Sequence, residues 1–228
     1  MESYHRQIKK HIFLKLTGFW KRPNRKYYVL AGIVIFALLI LSVCVYILAP
    51  RGAPVVIKET DEFFTDLKDG DIICRLGDRL WSEIFSDLSV MDKRYSHMGI
   101  IHINNGLVTV INAEGDTGHG RDFVSEVSLD DFLKVARTVG IYRINNVDGG
   151  QISRAALGYL GIPFDWKFDM SDGSKLYCTE LLYVILKQIQ SAIELDTVYI
   201  KELGREIVPL EAISNSGYFS EVYFKAMP

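Results

Sequence analysis

The chain has 228 residues, with 26 Lys and Arg against 28 Asp and Glu, a length that suits one domain with a real core plus an accessory segment. Eight of the basic residues (Arg6, Lys9, Lys10, Lys15, Lys21, Arg22, Arg25 and Lys26), against Glu2 alone, precede the first apolar run, so the remainder carries 18 basic and 27 acidic groups. That acidic excess excludes a globular part that binds nucleic acid through charge. The three cysteines, Cys44, Cys74 and Cys178, contain no CxxC pair and are odd in number, which supports neither a zinc ribbon nor a disulfide framework.

In chain order, residues 11–22 place Ile12, Phe13, Leu16 and Phe19 or Trp20 at helical spacing in a basic segment, expected to lie on the cytoplasmic membrane surface. Residues 27–49 carry no charge, and at about 1.5 Å per residue they reach across a hydrocarbon core of roughly 30 Å, which predicts a transmembrane helix. A buried core helix is the weaker reading, because such helices seldom run beyond ~15 apolar residues without a polar face. A cleaved signal peptide is disfavoured by the length of the stretch and by Pro50 after Ala49. Val43 before Cys44 argues against a lipoprotein. The basic residues ahead of the span should stay in the cytoplasm and send the rest across. The expected organisation is a basic cytoplasmic segment (1–26), a single transmembrane helix (27–49), a linker and domain entry (50–66), and an extracytoplasmic domain (67–228), periplasmic or on the outer face.

The periodicities of the last part indicate an α+β domain without repeats. Residues 71–76 (DIICRL) read as a buried strand after the turn Lys68-Asp69-Gly70, and 80–88 as a short helix. Two alternating apolar runs then flank Asn105-Gly106, the strongest short hairpin signal. If these are the two turn residues, Asn104 pairs with Leu107, His97 lies opposite Glu114, and Asn112 shares that face. Residues 115–121 form a glycine-rich loop, and Ser128 with Asp131 resembles a capping box opening a helix over 129–136. A strand (TVGIYRI), a helix (ISRAALGYL), the loop GIPFDWKFDMSDG and the most apolar helix (LYCTELLYVILKQI) follow. VPLEAIS reads as a helical turn started by Pro209, and FSEVYFK as a last strand.

Cys178 falls in the first turn of its helix, where unpaired backbone N–H groups and the positive dipole end favour a thiolate. A nucleophilic thiol needs a base or imidazolium partner and a third group to orient the ring, and His97 at a strand start could be that partner. Both residues also have bland readings: free cysteine is among the most buried residue types, and a strand-end histidine is more often part of a core. His5 and His11 belong to the basic tail, His102 has the opposite strand parity, and His119 sits in a loop.

The order GDII, YSHMGII, VINAEG, PFD-x-x-F, YCTELL resembles the circularly permuted NlpC-type papain-like amidases of the YaeF/YiiX group, over roughly residues 67–186. Ser96-His97-Met98-Gly99 matches that group's histidine segment and Tyr177-Cys178-Thr179-Glu180-Leu181 its cysteine segment, with Thr179 for the usual serine. The resemblance implies a permuted papain-like domain with a central antiparallel sheet and the nucleophile helix packed on it. It also implies a Cys-His cysteine hydrolase with no metal or organic cofactor. Its third catalytic position, often glutamate, falls on Asn112, and Glu114 on the same face is the rival. Asp71 and Asp165 match family positions too, with a strand-start turn and a capped loop as their plain structural readings; Asp165, Tyr95 and Tyr177 are the candidate substrate contacts. The implied substrate is an amide in a peptide or cell-wall fragment, or an acyl-lipid if the site serves as an acyltransferase or thioesterase. A non-catalytic anchored binding module is the rival from another class. Cys74 is expected to be a small core residue, with a disulfide to Cys178 as the alternative.

Overall fold

The structure, a computed structural model, describes residues 25–50, 52–54, 66–116 and 121–226; the basic segment at 11–22, most of 50–66 and His119 lie outside these. The chain divides into two compact units, Met1–Leu48 and Ala49–Pro228. In the first, helix α1 (Arg25–Leu48) has 24 residues, about 36 Å at the α-helical rise. From Tyr27 to Leu48 it is long and apolar enough to cross a membrane. A single N-terminal helix of this kind suits a signal anchor or a membrane span.

The second unit is built on one six-stranded sheet in the order β4-β3-β2-β1-β5-β8, every neighbouring pair antiparallel. In chain order its elements are β1 (Ile72–Gly77), α2 (Leu80–Ser86), β2 (His97–Asn104), β3 (Leu107–Asp116), β4 (Arg121–Ser128), α3 (Leu129–Leu133) and β5 (Ala136–Ile144). Then come α4 (Gly149–Leu157), α5 (Cys178–Ile189), a small β6 (Val198–Ile200) and β7 (Arg205–Ile207) hairpin, α6 (Glu211–Ser214) and β8 (Phe219–Ala226).

The strand period of two divides the core by face. Ile72, Cys74, Met98, Ile100 and Ile111 pack against α4 and α5, whose Ile152, Leu181, Leu182 and Ile185 are buried with them. Ile73, Ile101, Val110, Val139 and Ile141 face the other way, under Leu129, Phe132 and Leu133 of α3. β1 is covered on both sides, which is why it reads as a continuous apolar run.

The hairpin takes the register that its turn dictates: Asn104 pairs with Leu107 and Ile100 with Ile111. Asn105 (φ 51°) and Gly106 (φ 82°) both adopt the left-handed conformation that a two-residue hairpin turn of this type needs. The loop expected at 115–121 is shorter than its glycines suggest. β3 continues to Asp116, and Arg121 opens an edge strand whose pairing runs from Asp116↔Arg121 to Thr109↔Ser128. Ser128 does cap α3, accepting the Asp131 N–H at 3.1 Å. The helix ends at Leu133, however, because Ala136 and Val139 are drawn into β5, on the buried face.

Candidate active site

α5 starts at Cys178 because the residues before it are held extended: Tyr177 has φ −98° and ψ 172°. The preceding loop is fixed by buried Asp165, whose carboxylate accepts the backbone N–H groups of Lys167 (2.9 Å) and Asp169. Glu180 reaches back to the Tyr177 N–H at 3.3 Å, half of a capping box. Two further bonds tie the helix start to the segment ahead of α6: Thr179 Oγ1 donates to the Val208 carbonyl (2.6 Å), and the Tyr177 hydroxyl accepts the Val208 N–H (3.0 Å).

Half-buried Cys178 therefore sits where helix and sheet meet. The backbone N–H groups of Met98, the neighbour of His97, of Thr179 and of Cys178 itself bear on its sulfur and favour the thiolate. The β2–β3 pairing ends at Ile100↔Ile111, while Met98 and His97 pair with Cys74 and Arg75 of β1. This end of β2 is thus where the Met98 N–H can turn to the thiol.

His97 opens β2, and its Nε2 lies 2.9 Å from Asn112 Oδ1, with Asn112 fully buried. An amide oxygen only accepts, so Nε2 carries the hydrogen and Nδ1 keeps its lone pair for use as a base. The imidazole also stacks on Phe132, with ring centroids 5.7 Å apart. Glu114, the other carbonyl-bearing candidate on that face, forms an ion pair with Arg75.

The flanks of the histidine segment have structural reasons of their own. The Ser96 hydroxyl accepts the Gly77 N–H (3.1 Å) and pins the strand start. A Cβ on Gly99 would stand 2.3 Å from Val110 Cγ1 and 3.2 Å from Asn112 Cβ, so only glycine lets β3 come close enough to bring Asn112 to His97.

Burial, reinforced by the Arg75 guanidinium, pushes the His97 imidazole down to about 4, against the opposing effects of Glu114 and Asn112. Burial also pushes the Cys178 thiol up to about 11, outweighing the three N–H groups that favour the thiolate. The helix start does favour the thiolate, as its position suggests, but burial opposes it, and burial also disfavours the imidazolium.

Beside Cys178 opens a cleft walled by Phe85, Leu88, Phe168, Tyr177, Val208 and Leu210 among others. Of the three candidate substrate contacts, Tyr177 borders this cleft. Asp165 is 1% exposed and holds its own loop. Tyr95 is 2% exposed, packed edge-on to Tyr142 at 6.0 Å. Asp71 is buried in an ion pair with Arg143 at 2.7 Å, and Cys74 is a buried free thiol on β1. Sequence reasoning missed Arg75 and Phe132 beside His97, and the Ile207–Leu210 wall of the cleft. Arg75 left one signal, a lone cation in an otherwise apolar strand.

The family model described as "Permuted papain-like amidase enzyme, YaeF/YiiX, C92 family" matches residues 66–214, well over half the chain. No curated protein matches it. Among solved structures it is similar to the crystal structure of the metalloprotein YiiX from Escherichia coli O157:H7, with a TM-score of 0.59 and 19% identity over 70% of this chain and 98% of that one. That protein is described as a metalloprotein, whereas among the described residues here no group of three or more His, Cys, Asp or Glu converges as metal ligands would. The mixed α/β architecture, the central antiparallel sheet and the family match together place this chain in the permuted papain-like amidase family of YaeF and YiiX.

Proposed function

We propose that the domain hydrolyses an amide bond through Cys178, His97 and Asn112. The observation that carries this reading is the convergence at one end of β2. His97 is held by Asn112 at 2.9 Å, and the backbone N–H of the adjacent Met98 is near enough to the Cys178 sulfur to favour its thiolate. As Cys178 Sγ attacks the carbonyl carbon, His97 Nδ1 takes the thiol proton, and Asn112 keeps the ring in the productive tautomer. Backbone N–H groups at the start of α5 stabilise the oxyanion. The imidazolium then protonates the departing amine, leaving a thioester on Cys178, and water activated by His97 releases the acid.

The chain is proposed to work as a single-pass membrane protein with its N-terminus in the cytoplasm, from the basic residues ahead of α1. One observation favours a second reading on the same residues: the cleft beside Cys178 is largely apolar, which suits an acyl chain on the carbonyl side.

Turnover of a panel of p-nitroanilides, peptidyl and fatty-acyl, by the full-length protein in detergent tests both. Cys178→Ala should abolish release of p-nitroaniline, and His97→Ala should lower kcat/KM by roughly 10²–10⁴-fold. Preference for long acyl chains selects the second reading. Undiminished turnover by Cys178→Ala overturns both, and a folded protein with no turnover on any member points to a binding module.

A further inference from the structure

Continued past its last pair, Ile100↔Ile111, the β2–β3 register brings His97 level with Glu114 and onto the face of Asn112, and the imidazole bonds to Asn112. The residue that separates Asn112 from Glu114 in this role is Arg75. It stands directly opposite His97 in the β1–β2 register and is only 5% exposed. A cation buried to that depth needs partners to offset its lost hydration. Its Nη1 donates to the Phe132 carbonyl at 2.5 Å, its Nη2 pairs with the Glu114 carboxylate, and its guanidinium carbon lies 4.3 Å from the centre of the Phe132 ring. That same ring is the one on which His97 stacks. One side chain therefore holds both the aromatic wall beside the imidazole and the carboxylate that would compete for it.

We infer that Arg75 is a positioning residue for the proposed hydrolysis: by binding Glu114 and Phe132 it assigns His97 to Asn112, so the base works beside a neutral amide rather than a carboxylate. The inference rests on the reading of His97 as the base. Glu114 held against the imidazole would stabilise imidazolium, and a base already protonated cannot take the thiol proton. The charged groups that bear on His97 are Arg75 from β1 and Glu114 from β3, acting in opposite directions, while α3 presents the uncharged Phe132. Loss of Arg75 removes a nearby cation and releases Glu114 from its bond, and both changes favour imidazolium.

The test reads His97 itself. In full-length protein labelled with ¹⁵N-histidine and held in detergent micelles, the imidazole nitrogens are titrated by NMR, with His97→Gln assigning the signal. Arg75→Met and Arg75→Gln are each expected to raise the His97 titration midpoint by at least one pH unit, about tenfold in proton affinity. Adding Glu114→Gln to Arg75→Met should reverse most of that rise. The double variant also removes both buried charges together, which leaves neither one unpaired, and if Arg75→Met does not fold, Arg75→Gln carries the comparison. An unchanged midpoint in a folded Arg75 variant, or a rise that Glu114→Gln does not reverse, overturns the inference. Failure of the hydrolase reading would show separately, as turnover surviving in Cys178→Ala.

Discussion

Protonation of His97 links activity to stability. Its imidazole takes up a proton near pH 4 in the folded protein and near 6.5 when unfolded. Between those values the unfolded state holds more protons, so stability falls as the pH drops from about 6.5 toward 4. Denaturant unfolding at pH 7, 6, 5 and 4 should show this loss, and His97→Gln should flatten that part of the profile. The same neutrality predicts that kcat/KM loses its acid limb only near pH 4. A limb near 6.5 would mean that the burial of His97 seen in the structure is not that of the working enzyme. Burial pushes the Cys178 thiol up, so in the proposed mechanism proton transfer to His97 accompanies attack.

At the scale of elements, the proposed catalytic geometry depends on how closely β3 approaches the start of β2. Gly99→Ala puts a Cβ within 2.3 Å of Val110 Cγ1 and must push the strands apart where Asn112 meets His97. The expected cost is about 1–3 kcal/mol of stability, together with a fall in kcat exceeding that of a control such as Leu107→Ala, at the exposed turn end of the hairpin. Equal kcat in the two variants would separate the close approach from catalysis. This hairpin was legible in the sequence because the Asn105-Gly106 turn specifies its register, and a register fixes which residues face each other. The choice between Asn112 and Glu114 was not legible. On the inference drawn above it depends on Arg75, which comes from a strand distant in sequence, and on Phe132 from α3. Such a choice is made by tertiary contacts that no local pattern encodes. β4 was hidden for a related reason: as an edge strand it alternates weakly, and the glycines beside it read as loop.

For the whole molecule, α1 and the acidic domain have opposite electrostatic roles. The eight basic residues ahead of the span predict a cytoplasmic N-terminus, and the net acidity of the remainder gives no charge of the kind that holds segments at an anionic membrane face. In intact cells with the chain bearing a tag at each end, a protease added outside, after any outer barrier is opened, should remove the C-terminal tag and spare the N-terminal one. The reverse pattern would invert the topology. The fold class was legible at this scale because the two segments matching the family, around His97 and Cys178, bracket β3, β4 and β5 of the sheet. The cleft was not, since its wall at Ile207–Leu210 is irregular chain brought to Cys178 by Thr179 and Tyr177 binding Val208.

The most direct test of the central claim is the intact mass of the full-length protein, acid-quenched at short times after mixing with the best p-nitroanilide of the panel. The account predicts a transient adduct with the mass of the acyl group, mapped by peptide digestion to Cys178, absent in Cys178→Ala and strongly reduced in His97→Ala. An acyl adduct on any other residue, or p-nitroaniline released at the wild-type rate by Cys178→Ala, would contradict it.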